Sequence, residues 1–421
     1  MKTSNLKNVL PVLYWALYDL ANQFFILNII SFYFVQWLVI ENKVPEILYG
    51  VTFGLSMFLV AVLGPFLGLI TDKIDRHRIF LIYSTLLSVF FTMLLGFTKN
   101  WVVALIFFAI ANFGCQIATV FYNALIIKVA SPDVVGLVSG VGRMFSFLGA
   151  ILCLYLVKPI VERYGYHASF LSSGFFFLIF SLPCMFFTKD QPTVQSTETS
   201  LHAADFKLMA RVAWQEIIVV YDLPGIRPFL KSYFFSFCAI NAVILFMTVF
   251  AKQVFNFDQT RLTHFIVLGT VFAVFGSILV GYASDRIGCR PSLTAVFSLW
   301  IFAFVSGAAV RESSFYYLIA MATGLALGST FVVIRAMIPK LVPEAQIGGA
   351  FGLFNLVGAL SSIAGPVFWG VLILLLKVLG EGSYRWSLLS LSGFMGLGMY
   401  YLYRIPPALL KEVNGKLKKV I

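Results

Sequence analysis

Charge is scarce in this sequence. Of 421 residues, only 11% are Asp, Glu, Lys or Arg and 60% are apolar, whereas a soluble globular chain carries about 25% charge and about 45–50% apolar residues. Water could not solvate such a surface, so a soluble fold is excluded. Cysteine is sparse as well. Cys115, Cys153, Cys184 and Cys238 fall in apolar runs and Cys289 in a short polar loop, with no C-x-x-C pair, and neither a disulfide framework nor a zinc site is called for. His77, His167, His202 and His264 lie in or beside different loops, which denies them metal-ligand spacing; no metal and no cofactor is expected. A G-x-S-x-G elbow, a Walker loop and a G-x-G-x-x-G in its required context are all missing. So is a clustered nucleophile or acid–base set at one membrane face, and no enzymatic activity is expected.

What is present is length in apolar residues. Spanning a bilayer takes about 20 of them in a helix, and runs of that kind lie near 10–38, 48–70, 78–98, 101–127, 137–160 and 168–187, then 229–254, 262–283, 291–310, 314–338, 346–376 and 386–404. Strands of a membrane barrel would be about ten residues long and alternate in polarity; Phe175–Phe180 and Val367–Leu376 do not alternate. The sequence therefore predicts an all-α integral membrane protein with twelve transmembrane helices. The first run is too long for a signal h-region and lacks a small-x-small cleavage site, so it reads as a retained span.

Lys and Arg set the orientation. With the N-terminus in the cytoplasm, segments on that side hold 20 Lys/Arg and 11 Asp/Glu, the outer loops hold nine and six, and the membrane interior one of each. Most of the net charge of +12 is thus topogenic and faces anionic lipid; nucleic acid is not expected as a partner. Both termini are expected in the cytoplasm. Short outer loops without an Asn-x-Ser/Thr sequon fit a bacterial inner membrane, with an organellar membrane as the alternative.

The sequence repeats. After the second span stands Gly68-Leu-Ile-Thr-Asp72-Lys73-Ile-Asp75-Arg76-His77-Arg78, and after the eighth Gly281-Tyr-Ala-Ser-Asp285-Arg286-Ile-Gly288-Cys289-Arg290, an offset of 213. Lys128, Gly136 and Gly140 correspond to Lys340, Gly348 and Gly352 at an offset of 212. Two matches at nearly one offset predict two six-helix halves of the same orientation, 1–188 and 229–404, joined by a linker at 189–228 and followed by a basic tail at 405–421. In the linker, 191–200 reads as flexible chain, and Ala203 to Tyr221 as an amphipathic helix on the membrane surface, with Phe206, Met209, Ala213, Ile217 and Val220 along one side.

Gly-x-x-x-Asp-Arg/Lys-x-Gly-x-Arg between helices 2 and 3 resembles the signature loop of the major facilitator superfamily, here in both halves, with Asp75 in place of the second glycine in the first copy. Trp15-Ala-Leu-Tyr-Asp-Leu-Ala-Asn22, Phe121-Tyr-Asn-Ala-Leu125, Phe351-Gly-Leu-Phe-Asn-Leu-Val-Gly358 and Ser362-Ile-Ala-Gly-Pro366 are similar to the autophagy-related vacuolar effluxer-like group, which is associated with amino-acid export. The resemblance implies alternating access through a cavity lined by spans 1, 4, 7 and 10, and a latch between the halves formed by Gly68, Asp72, Lys73, Arg76, Gly281, Asp285 and Arg286. Departures from the group fall in the second half: Ser236-Phe237-Cys238 replace a polar run, Phe331 and Ile334 replace Gln and Ser, and Ala359 replaces Lys.

Polar residues within spans are costly unless they meet partners or water. Asp19, Asn22 and Gln23 share one face of span 1, Asn112 and Gln116 one face of span 4, and Tyr122, Asn123, Arg143, Asn241, Arg335 and Asn355 complete the candidates for substrate binding or coupling. The repeat pairs Asn123 with Arg335 and Arg143 with Asn355. Asp19 and Arg143 both lie about 9–14 Å into the membrane, so a structural ion pair is the alternative to a binding role; for the neutral amides the alternative is interhelical hydrogen-bonding. Pairs spaced G-x-x-x-G, namely Gly50/Gly54, Gly64/Gly68, Gly136/Gly140, Gly324/Gly328 and Gly348/Gly352, mark close helix contacts. The expected function is secondary transport of a small polar solute, such as an amino acid or related metabolite, by a monomer in lipid, with proton coupling through Asp19 open; a lipid mover or a non-transporting sensor on the same scaffold is the alternative.

Overall fold

The computed structural model describes residues 9–74, 76–129, 135–188, 218–311, 315–343 and 347–410. In lipid an apolar run satisfies its backbone only by closing hydrogen bonds within itself, and twelve long helices stand among the described residues. The first, α1 (residues 9–41), is α-helical over Val9–Phe25 and Tyr33–Gln36 and π-helical over Ile26–Phe32 and Trp37–Glu41. Then come α2 Glu46–Ile74, α3 His77–Leu94, α4 Trp101–Ala124, α5 Val135–Tyr164 and α6 Tyr166–Phe187. The second half holds α7 Ile226–Phe255, α8 Gln259–Ile287, α9 Cys289–Ala309, α10 Tyr316–Leu341, α11 Ile347–Leu375 and α12 Glu381–Tyr403. Eleven are long and apolar enough to cross a membrane. The twelfth, 23 residues long, is diluted by Ser383, Ser387, Ser390, Ser392 and its tyrosines, and its packing against α7 and α9 places it in the bundle.

Local chemistry sets the reversals. Gly165 alone separates α5 from α6 at φ +78°, and Gly288 alone separates α8 from α9 at φ +92°, a backbone region that side chains disfavour. Gly288 is thus the second glycine of the repeated loop doing what only glycine does cheaply. The Asn100 side chain accepts from the Val102 amide at 2.9 Å to cap α4, and Asp258 accepts from Arg261 at 2.8 Å to cap α8.

The repeat is visible in packing. Within the first half α1 packs on α5 and α6, α3 on α4 and α6, and α2 on α4; within the second, α7 packs on α11 and α12, α9 on α10 and α12, and α8 on α10. Each contact has its counterpart six helices later. Between the halves, α2 packs on α11 and α5 on α8, again a symmetric pair.

Among the described residues, hydrogen bonds, ring contacts and close glycine approaches join the halves from mid-span to the end opposite the basic loops. A Cβ on Gly50 would stand 3.1 Å from the Pro366 carbonyl, one on Gly54 2.9 Å from Ile363, and one on Gly370 2.5 Å from Ile47. Tyr384 donates to the buried Glu46 carboxylate, Thr248 to the Ser31 carbonyl at 2.7 Å, and Lys252 to the Tyr166 hydroxyl at 3.0 Å, which in turn donates to Gln36 at 3.2 Å. Tyr49 meets Phe246 edge-on. That end is sealed. Toward the basic end, where α2 meets α3 and α8 meets α9, Asn123, Arg143, Arg335 and Asn355 are exposed, one pair on each half.

Most of the linker, including the predicted amphipathic helix up to residue 217, lies outside the described residues, as does the tail beyond residue 410.

Candidate functional site

Tyr122 is the fixed point of the site. Its ring stacks on Trp15 at 4.5 Å and on Tyr18 at 4.9 Å, its carbonyl accepts from the Trp15 indole at 3.1 Å, and Tyr18 is itself tied to Thr85 at 2.7 Å. Held this way on three sides, the Tyr122 hydroxyl donates to Asp19 Oδ2 at 2.9 Å. Behind the carboxylate lies Gly142 of α5, where a Cβ would come within 2.7 Å of both Asp19 Oδ2 and the Trp15 ring. The close approach of α1 and α5 requires that glycine.

Arg143 follows Gly142, about 12 Å along α5 from its start. It is exposed and within electrostatic reach of Asp19. Arg335, on α10 in the other half, is likewise exposed and within electrostatic reach of Asp19, Arg143 and Tyr233. Neither guanidinium forms an ion pair within 4 Å or a hydrogen bond with a described residue. The permanent Asp19–Arg143 pair weighed from the sequence is therefore absent: Asp19 takes its hydrogen bond from Tyr122 instead. On the second half Tyr233 stacks on Phe354 at 4.0 Å and lies 4.2 Å from Phe237, so the polar cluster is flanked by aromatic rings from both halves.

Residues 20–294 and again 229–419 match the sequence profile of the Major Facilitator Superfamily. The chain belongs to that superfamily. It is 23% identical over 377 residues to the uncharacterized MFS-type transporter YxiO of Bacillus subtilis, covering 85% of this chain and 87% of that one. Autophagy-related protein 22 of Eremothecium gossypii is 21% identical over 250 residues, 56% of this chain and 49% of that one. In fold the chain resembles the nucleoside transporter NupG (TM-score 0.74, 13% identity, 94% of this chain and 99% of that one) and, with a TM-score of 0.75 at 13% identity, a bacterial homologue of the human lysosomal transporter Spinster in an inward-facing, unoccupied conformation, over 97% of this chain and 100% of that one.

Within this major facilitator the sequence candidates divide. Asp19 and Tyr122 are in contact, with Arg143 and Arg335 within electrostatic reach of Asp19, and Asn123 and Asn355 are exposed near the basic end of their helices. Gln116 is half-buried without a hydrogen-bond partner among the described residues. Others hold helices to one another: Asn112 donates to Ser56 at 2.6 Å, Asn22 to Thr119 at 3.4 Å, Gln23 to Ser146 at 2.7 Å and Asn241 to Ser361 at 3.3 Å, bonds worth about 1 kcal/mol each in lipid. Trp15, Tyr18 and Tyr233 were not singled out from sequence; only the polar edge of each ring marks it, and rings are common here. Arg335, the candidate that the repeat pairs with Asn123, lies six residues inside α10, about 9 Å from its end.

Of the loop residues, Arg76 and Arg286 are exposed, the latter over the Tyr282 ring at 4.5 Å, and a Cβ on Gly281 would meet Val332 at 3.2 Å. The side chains of Asp72, Lys73 and Asp285, and what surrounds Gly68, lie outside the described residues. Arg78 and Arg290, each the second residue of the helix that follows its loop, share another task. Arg78 donates to the Met185 carbonyl at 2.5 Å, and Arg290 to the carbonyls of Leu402, Tyr403 and Ile405 at 3.3, 2.5 and 3.0 Å. Each closes the C-terminal end of the last helix of its own half, where free carbonyls favour a cation. Cys289, expected in a loop, is the buried first residue of α9.

Proposed function

We propose that the chain carries a small polar solute across a membrane by alternating access, as a monomer, with the solute bound between Asp19, Tyr122 and Arg143 on one side and Arg335 and Tyr233 on the other. The observation that carries this reading is the asymmetry of the interface: the halves meet at one end and leave paired polar groups exposed toward the other. By the positive-inside rule the basic end faces the cytoplasm, so the conformation is inward-facing, like the one named for the Spinster homologue. A bacterial inner membrane is the setting, amino acids and related metabolites are the first solutes to test, and Asp19 is the group through which protons would couple. In the outward-open state Asp72 and Asp285 serve the latch between the halves.

Uptake and counterflow in proteoliposomes test the reading, with scrambling of a labelled lipid followed in the same vesicles. Solute movement without scrambling is the expected result; scrambling without solute movement would make the protein a lipid mover. Orientation is tested by single cysteines in a chain otherwise free of them. Val378, 97% exposed between α11 and α12, should react as cysteine with an impermeant thiol reagent outside intact cells, and Ile287, 62% exposed, only after permeabilisation.

A further inference from the structure

Two guanidiniums, one from each half, are exposed and lie within electrostatic reach of one carboxylate, and that carboxylate is already engaged by Tyr122. Counting Asp19 as ionised, the described residues of the cluster carry one positive charge in excess. Arginine keeps its charge in any setting met by a protein, and its planar fork matches the oxygens of carboxylate and phosphate groups. A cation left without a counter-charge inside a membrane protein marks a substrate or ion pathway. The repeat makes the arrangement reciprocal. The α5 position that holds Arg143 corresponds to Asn355 in α11, and the α10 position of Arg335 to Asn123 in α4, so each half supplies one guanidinium and one amide, in swapped places. All four are exposed on facing halves.

We propose that Arg143 and Arg335 are the two jaws of an anion clamp, so that the transported solute bears a carboxylate or phosphate group gripped from both halves at once. This deepens the transport reading and rests on it. An anion between the jaws removes the repulsion of two like charges on opposite halves, which neither a neutral nor a cationic solute would do.

The test uses the full-length protein and two readouts. Thermal stability is measured with succinate, inorganic phosphate and glycerol phosphate, beside the neutral counterparts succinamide and glycerol; counterflow is measured for the same compounds and for neutral and zwitterionic amino acids. The clamp is supported if at least one anion raises the melting temperature while its neutral counterpart does not, and if Arg143→Gln and Arg335→Gln each weaken that response tenfold or more while Arg143→Lys and Arg335→Lys retain part of it. Carboxylate and phosphate are told apart by which probe acts. The proposal is overturned if neutral counterparts stabilise as well as anions, if both Gln variants respond like the parent, or if no anion acts in either readout. Transport of a neutral solute undiminished in both Gln variants would remove the clamp and leave the transport reading standing; anion binding without counterflow of any compound would do the reverse.

Discussion

Among the described residues Asp19 is a carboxylate with one hydrogen bond and no contact ion pair, kept in place by aromatic packing around Tyr122 and by the absence of a side chain at Gly142. That absence is testable. Gly142→Ala puts a methyl group 2.7 Å from both Asp19 Oδ2 and Trp15, and overpacking of this kind costs about 1–3 kcal/mol; we expect a lower melting temperature and reduced transport. Gly64→Ala, whose nearest neighbours would be 3.8 Å away, should change neither, and measuring both variants together separates crowding at Asp19 from a general effect of losing glycine. Much of this site could be read from the sequence, because a charge inside an apolar run announces itself: Asp19 and Arg143 stand out on composition alone. Arg335 was legible as well, through its repeat match to Asn123, but that it comes within electrostatic reach of Asp19 from the other half depends on how the halves meet. The division of the amides into bridging and open groups was also hidden, because it depends on whether a serine or threonine on another helix lies opposite, as Ser56 does for Asn112 and Thr119 for Asn22.

Helices α8 and α10 pack backbone against backbone. A Cβ on Gly324 or Gly328 would lie 2.0 Å from the carbonyl oxygen of Gly269 or Ala273, so the obstacle is backbone and cannot swing aside. Gly328→Ala is accordingly expected to lower accumulation of folded protein in the membrane, measured by fluorescence-detected size exclusion. Gly393→Ala on α12, with nothing within 4 Å, should be neutral or slightly stabilising, since glycine costs about 1 kcal/mol against alanine within a helix. The number, order and rough limits of the spans were legible because hydrophobic length is a direct physical requirement of the bilayer. The π-helical stretches Ile26–Phe32 and Trp37–Glu41 were not, since a change of hydrogen-bond register leaves no mark in hydropathy. Nor was the work of Arg78 and Arg290, whose charges are topogenic in any reading but whose acceptors come from helices more than a hundred residues away.

At the level of the molecule the described residues close the end opposite the basic loops with small residues against backbone and with polar ties, Glu46 to Tyr384, Thr248 to the Ser31 carbonyl and Lys252 to Tyr166. Gly50→Leu would press against the Pro366 carbonyl, 3.1 Å from the position of its Cβ, and pry α2 from α11. The expected result is a shift toward the state open at that end, read as faster reaction of a cysteine at position 143 with an impermeant thiol reagent applied from the Val378 side. The unequal count of charges among the described residues of the site, two guanidiniums to one carboxylate, also has an electrical meaning. An elementary charge crossing a potential of 100 mV exchanges about 2.3 kcal/mol with the field. An empty carrier whose centre bears one net positive charge is therefore held by a negative interior in the inward-facing state, whereas a carrier loaded with a monovalent anion is electrically silent as it turns over. Exchange of anion for anion in vesicles clamped with potassium and valinomycin should then ignore the voltage, while net uptake, which must return the empty carrier, should slow or quicken with it.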